Sequence, residues 1–527
     1  MSTSIPSTEA SNAILAPERE QGAQAERNTY GQILKSSALV GGSQALNTAI
    51  GIVRTKAMAM LLGPSGFGLF GLYGSISDLT QSIAGMGINT SGVRQIAEAA
   101  MSDDRERIAR TAAVLRKTSV ALGILGAVFL IVFSRQVSSL SFGNDGHATA
   151  ISLLSVAVFL RLVSAGQGAL IQGMRRISDL SRLSVLGALF GAVIGIPLVY
   201  LFREKGIVPS LIGVATMTIV TSWWYTRKIE VPVCSIRASN AGREVAPLLK
   251  LGFAFMITGL MTMGSAYVVR IIILHQLGIE ATGLYQSAWT LGSLYVSFIL
   301  QAMGADFYPR LTASASDHAA CNRMVNDQTR VGLLLAGPGA IATLTFAPVI
   351  ISLAYSAKFH EAVEVLRWIC LGTTLQVITW PMGFISLAKG RSNVFFWSDF
   401  AWTVVYLGLA WLCIRRFGLN GTGIAFFLSY AFHAVLTYPI ASWLSGFRWS
   451  GENVKLGFLL LSCIAGVFGG FYILPFYLAV CLGTTATFIC SAYSTRVLIS
   501  LISLQSVPSP MRGLITRFGL QAPATII

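Results

Sequence analysis

Apolar residues gather into successive blocks of about 20 or more between residues 37 and 502, the length a helix needs to cross ~30 Å of hydrocarbon. Only 11% of the 527 residues are charged and 54% are hydrophobic, against about a quarter charged in soluble domains. Mean hydropathy is +0.67. These values exclude a disordered chain and an ordinary soluble enzyme, and predict a polytopic, all-α membrane protein. Spans are expected near 37–62, 67–88, 113–134, 149–173, 183–202, 206–225, 249–276, 282–306, 331–355, 364–388, 392–414, 418–444, 456–474 and 476–495. A break at Pro475 separates the last pair.

Charge sets the expected orientation. The formal balance of +16 could suggest nucleic acid, but helical membrane proteins collect Lys and Arg in cytoplasmic loops. With the N-terminus inside, 27 of the 38 basic residues fall in the tails, the even-numbered loops or the span ends that adjoin them (Arg116, Lys117 and Lys250), six in odd-numbered loops and five deeper within spans. The loop 89–112 alone holds Arg94, Arg105, Arg107 and Arg110, while Arg415–Arg416 is the one local violation on the other side. Nucleic acid is therefore not expected as a partner. Residues 1–35, polar and of mixed charge, read as a disordered cytoplasmic tail without a cleavable signal. No exterior loop exceeds about 15 residues, too short to house the catalytic groups of a polymerase or ligase acting outside.

The chain repeats itself. Leu62–Gly63 is followed by Gly68–Leu69–Phe70, and Leu277–Gly278 by Gly283–Leu284–Tyr285, both at an offset of 215. Six spans lie in each set, so the halves share one orientation and are related by an axis along the membrane normal. The expected organisation is a tail (1–35), an N-terminal six-helix bundle (36–226) and a cytoplasmic linker (227–248). A C-terminal six-helix bundle (249–445) and an additional helix pair with a tail (446–527) follow. The two parallel bundles would enclose a central cleft and work by alternating access.

A charge in mid-membrane costs about 2.5–3.5 kcal/mol on insertion scales and needs a cavity, a partner or an interface. Gln44, Asn47, Gly51 and Arg54 share one helical face, whereas Lys56 lies about 200° around, among packing residues. The next helix carries Gly71, Gly74, Ser75, Asp78, Gln81, Ser82 and Gly85 along one stripe; in the second set Ser287, Thr290, Ser297 and Gln301 form a comparable one. Arg54 stands nine residues before Gly63 and Arg270 eight before Gly278. Similar heights in the two halves would place two guanidiniums across the cleft, a group suited to bidentate phosphate recognition. Arg161 is a third candidate contact. Structural pairing of these arginines with Asp78 or Asp399 is the competing reading, and those two acids are also candidates for proton or sodium coupling.

Other patterns carry no chemistry. Gly66-Phe-Gly68-Leu-Phe-Gly71 spells GxGxxG but opens an apolar span with no preceding strand, so no nucleotide is expected. Seven cysteines lack a CxxC pair or a dense framework, and five histidines lack zinc spacing. Neither a cofactor nor a metal is expected.

The segment Lys56-Ala-Met-Ala-Met-Leu-Leu-Gly-Pro-Ser-Gly-Phe-Gly-Leu69, followed by Gly85-Met-Gly-Ile-Asn-Thr-Ser-Gly-Val93, resembles the Wzx-type flippases. These form the polysaccharide-transporter branch of the MATE-related exporter superfamily. The resemblance covers about residues 35–445, and the added C-terminal pair is similar to the layout of lipid II flippases. It implies a non-enzymatic transporter in a bacterial inner membrane, exporting undecaprenyl-diphosphate-linked oligosaccharide for surface polysaccharide such as O-antigen. Membrane lipid, a polysaccharide polymerase and chain-length proteins are the implied partners. The competing readings are a cation-coupled multidrug exporter or a lipid II flippase of the same superfamily, a membrane polymerase or ligase, and a structural scaffold.

Overall fold

The computed structural model describes residues 8–101, 105–229 and 238–501, with side chains from residue 42 onward except at a few positions, chiefly within 238–258 and 295–306. Among the described residues the chain forms fifteen α-helices, two short 3-10 turns and no strand. A helix or helix arm lies at each expected span. The first two are the arms of α1 (Thr8–Gly85) on either side of Gly63. They are followed by α3 (Arg105–Val132), α5 (Ala148–Gly173), α6 (Ile177–Phe202), α7 (Ile207–Thr226), α8 (Ala238–Leu277) and α9 (Ile279–Ala313). Then come α10 (His318–Ala354), α11 (Ala362–Ala388), α12 (Ser392–Phe417), α13 (Asn420–Ser445), α14 (Gly451–Ile473) and α15 (Phe476–Leu501). Two short helices, α2 (Ile88–Met101) and α4 (Ser134–Phe142), lie between spans.

Eleven stretches of the described residues are long and apolar enough to cross a membrane. Two of them, Gly42–Gly85 and Ile177–Thr226, each contain two helices in succession. Helical backbone begins at Thr8, within the segment 1–35 expected to be a disordered tail; Ala, Glu, Gln and Arg recur there and are strong helix formers. Residues 1–7, 230–237 of the expected linker and the tail beyond 501 lie outside the described residues.

The repeat has a backbone counterpart. Gly63 (φ 65°, ψ −176°) and Gly278 (φ 90°, ψ 179°) break the helix in nearly the same conformation. Positive φ there explains why both are glycine. Five residues on, Gly68 and Gly283 press against each other: a Cβ on Gly68 would strike Ile279 and Gly283, and one on Gly283 would strike Pro64 and Gly68. Contact between equivalent positions is what a local two-fold axis between like helices produces. It also explains the glycines of the Leu-Gly-Pro-Ser-Gly-Phe-Gly-Leu segment: in lipid, helices associate by close packing of small residues rather than by expelling water.

Packing sorts the chain into two compact units. One comprises residues 1–54, 80–133 and 152–256; the other 55–79, 134–151 and 257–527. Residues 55–79 and 134–151 thus group with the helices after 257, so the partition follows packing rather than chain order. Within the second unit, aromatic rings fill glycine notches, Phe426 against Gly372 and Trp368 against Gly423, locking α11 to α13. The added pair docks on α10, with Leu460 over Gly337 and Thr345 against Gly483. Arg367 strengthens this docking. It binds Glu364 at 2.5 Å and stacks 3.7 Å over the Phe471 ring, while the Tyr472 hydroxyl donates to Glu364 at 2.8 Å.

Candidate substrate cavity

Arg270 is the most deeply placed of the candidate cations. It sits on α8 with only 7% of its surface exposed. Its Nε and Nη2 both donate to Gln286 Oε1, at 2.9 and 2.7 Å, and its Nη1 donates to the Ala266 carbonyl at 2.7 Å. Every one of these partners is neutral. Among the described residues no carboxylate comes within ion-pair range of this guanidinium. The clamp itself is held: Gln286 Nε2 donates to Thr290 Oγ1 at 3.2 Å. Gly71 on the second arm of α1 leaves room for it, since a Cβ there would lie 2.9 Å from Gln286 Oε1.

Arg270 opens into a cavity of about 340 Å³ within the second unit. Ser75 and Asp78 of α1, Thr262 and Ser265 of α8, Ser293 and Ser297 of α9, and Thr373 and Gln376 of α11 supply its polar lining. The rest of the lining is largely aromatic. Tyr285 and Trp289 come from α9, Trp402 and Tyr406 from α12, and Phe426 and Tyr430 from α13. These rings interlock, with Trp402 stacked on Tyr406 at 5.5 Å, Trp289 edge-on to Phe426 at 5.1 Å, and Phe426 edge-on to Tyr430 at 5.0 Å. The Arg270 guanidinium lies 5.9 Å from the Tyr285 ring centre. Hydroxyl contacts join Tyr285 to Tyr406 and Tyr430 to Gln376. The Trp402 ring N–H is buried and finds no acceptor among the described residues, and neither does Nδ1 of His433 find a partner behind it.

Of the candidate residues, this cavity brings together Arg270 and Asp78. Asp399 is half-buried on α12 outside the lining, its backbone carbonyl accepting from Thr403 at 2.9 Å. The remaining candidates belong to the first unit. Arg54 is half-buried and lies over Gly191 of α6, where a Cβ would sit 2.9 Å from Nη1. Asn47 donates to Ser184 Oγ at 3.0 Å, also on α6. Gln44 and Arg161 are half-buried. Of the serine–threonine stripe on α9, Ser297 reaches the cavity, Ser287 turns back to the Leu284 carbonyl, and Gln301 lies outside the described side chains.

Sequence reasoning overlooked the aromatic wall. Its signal was present as i, i+4 pairs, Tyr285–Trp289, Trp402–Tyr406 and Phe426–Tyr430, which put two rings on one helical face. In an apolar span such pairs cannot be told from lipid-facing residues by spacing. Among the described residues no cluster of His, Cys, Asp and Glu could hold a metal ion, and Cys234 lies outside them.

A buried cation with neutral ligands, facing an aromatic wall, suits an anion that also carries stackable faces. Comparisons with known proteins give the family and the fold. Residues 57–364 match the family described as polysaccharide biosynthesis protein. The lipid III flippase of Escherichia coli (strain K12) is 20% identical over 404 residues, 76% of this chain and 95% of that protein. A putative O-antigen transporter of Shigella flexneri is 22% identical over 423 residues, 78% of this chain and 97% of that one. Among solved structures, an inward-facing multidrug transporter of the MATE family matches with TM-score 0.65 and 16% identity, covering 78% of this chain and 95% of the other. The lipid II flippase MurJ, in an inward closed conformation, matches with TM-score 0.65 and 12% identity, covering 88% and 99%. The fold is that of these transporters, and the chain belongs to the polysaccharide biosynthesis protein family.

Proposed function

We propose that this protein is a flippase carrying undecaprenyl-diphosphate-linked oligosaccharide repeat units from the cytoplasmic to the periplasmic leaflet of a bacterial inner membrane, for assembly of a surface polysaccharide. The observation that carries this reading is the buried Arg270, held by neutral partners beside a wall of tyrosine and tryptophan rings. Its guanidinium is positioned by Gln286 and needs an anion to offset burial. Diphosphate meets that need, and flat aromatic faces suit the C–H faces of sugars. The names of the relatives support the same cargo class.

In this mechanism the N-terminus is cytoplasmic, as the excess of basic residues in even-numbered loops supports. No covalent step is required. Export of two negative charges down an inside-negative potential releases about 2.3 kcal/mol per charge per 100 mV, so the potential alone suffices unless a co-moving cation cancels it. Asp78, in the cavity with Arg270, is the proposed site of any such coupling, with Asp399 the second candidate. A polysaccharide polymerase and chain-length proteins are the proposed partners that consume the exported unit.

Loss of the protein should accumulate diphosphate-linked oligosaccharide in the inner leaflet, read by lipid extraction and leaflet-specific labelling. Arg270→Ala, present in the membrane at normal level, should reproduce that accumulation. Normal export by Arg270→Ala, or accumulation of organic cations instead of glycolipid, would overturn the reading. Transport in sealed vesicles that is unchanged when the potential is collapsed would remove the voltage-driven step alone.

A further inference from the structure

The first unit contains a cavity of its own, about 250 Å³, between α3, α5 and the end of α7. Its lining includes Arg116, Arg227, Gln167 and Trp223. The described carboxylates of α2, α3 and α6 are engaged by other arginines: Glu98 by Arg94 at 2.8 Å, Glu106 by Arg110 at 2.9 Å, and Asp179 by Arg176 at 2.8 Å. Among the described residues Arg116 and Arg227 have no acidic partner. Arg227 instead lies 4.6 Å from the Trp223 ring centre, and both residues line the cavity. Gln167 accepts from Ser222 through Oε1, and its amide N–H groups donate to no described residue.

Position identifies the surroundings. Trp223 and Trp224 close α7 with about half of each side chain exposed, 49% and 56%, and Lys228 lies over Trp224 and Tyr225 at 5.6 and 4.9 Å. Tryptophan with Lys and Arg at a helix end marks the level of lipid headgroups. Basic pockets between spanning helices at that level recognise anionic lipid. The volume equals about eight waters at ~30 Å³ each, room for a phosphate and its glycerol.

We propose that this cavity binds the phosphate headgroup of an anionic glycerophospholipid, apart from the transported cargo. Arg116 and Arg227 bracket the phosphate, the Gln167 amide donates to it, and the acyl chains leave along the apolar helix faces. The full-length protein, purified in detergent, would be titrated with phosphatidylglycerol or phosphatidylcholine and read by native mass spectrometry. Phosphatidylglycerol should bind in preference. Arg116→Gln and Arg227→Gln should each weaken it about fivefold, and the double variant about 25-fold. Arg416→Gln, an exposed charge in the other unit, should leave it unchanged. Ala112→Phe keeps both charges but fills the cavity, and should abolish the preference; this separates a built site from diffuse attraction. Arg116→Lys with Arg227→Lys, which preserves charge, guards against misfolding and should retain much of the binding. Equal binding of both lipids, or loss matched by Arg416→Gln, would overturn the site. Competition by inorganic phosphate or undecaprenyl diphosphate stronger than by phosphatidylglycerol would overturn the assignment to phospholipid.

Discussion

Arg54 and Arg270 occupy similar places in the two repeats yet have different surroundings. Arg270 is sealed by a glutamine clamp and opens on a cavity, whereas Arg54 is half-buried over a glycine of α6. The difference is one residue. At the repeat offset of 215, the counterpart of Arg270 is Thr55, and that of Arg54 is Val269, which is fully buried. A slip of one residue rotates a helical side chain by about 100°, and the border between the two units falls between residues 54 and 55. Equal height along two helices therefore does not make two residues equivalent; phase decides which of them lines the cavity.

The largest test of this contrast replaces each arginine in turn. A hydrogen bond to a charged group is worth about 1.5–3 kcal/mol, so Arg270→Ala should lower glycolipid affinity roughly 10- to 150-fold. Arg54→Ala should lower it less than about fivefold, both being measured at matched membrane levels. Arg270→Lys should recover only part of the loss, because an ammonium cannot take the forked geometry on Gln286. Equal losses at positions 54 and 270 would break the comparison and restore symmetric roles.

Next in size are the glycines that join the repeats. Gly283→Ala forces a methyl into Pro64 and Gly68 and should destabilise by about 1–3 kcal/mol, lowering the melting temperature in detergent. Gly74→Ala meets nothing within 4 Å and should be neutral or slightly stabilising. Gly71→Ala lies between these: its methyl would sit 2.9 Å from Gln286 Oε1. It should weaken ligand binding severalfold through Arg270 while changing melting by less than Gly283→Ala does.

These contrasts show what a sequence can disclose here. Span positions were legible because hydrocarbon thickness imposes one length on every helix. The repeat was legible because Gly63 and Gly278 need positive φ and Gly68 and Gly283 need close contact, and only glycine satisfies either demand. Arg270 and Asp78 stood out as costly charges in apolar spans. The aromatic wall was not legible, since Trp402 or Phe426 in a span has the same hydropathy facing lipid or facing a cavity. The grouping of residues 55–79 and 134–151 with the second unit was hidden too, because it rests on contacts far apart in the chain.

The smallest expected effect concerns the framework around the cavity rather than the cavity itself. Asp317 caps α10, its carboxylate accepting from the Ala319 and Ala320 backbone N–H groups at 2.9 and 3.0 Å. The hydrogen bond from Ala320 leads, followed among the favourable contacts by that from Ala319 and the charges of Arg323 and His318; together they outweigh desolvation and hold its pKa below the usual 3.8. A carboxyl with a depressed folded pKa contributes stability that is complete above its unfolded value and is lost as pH falls through the folded one. Asp317→Ala should therefore melt slightly below wild type at neutral pH, and the two curves should converge in acid below 3.8. Asp317→Asn, which can still cap, should fall between them at neutral pH. Because Leu460 and Gly483 dock farther along α10, none of these variants should alter glycolipid affinity. A change in affinity at neutral pH would tie the helix start to the cavity and extend the cavity's supporting framework to the end of α10.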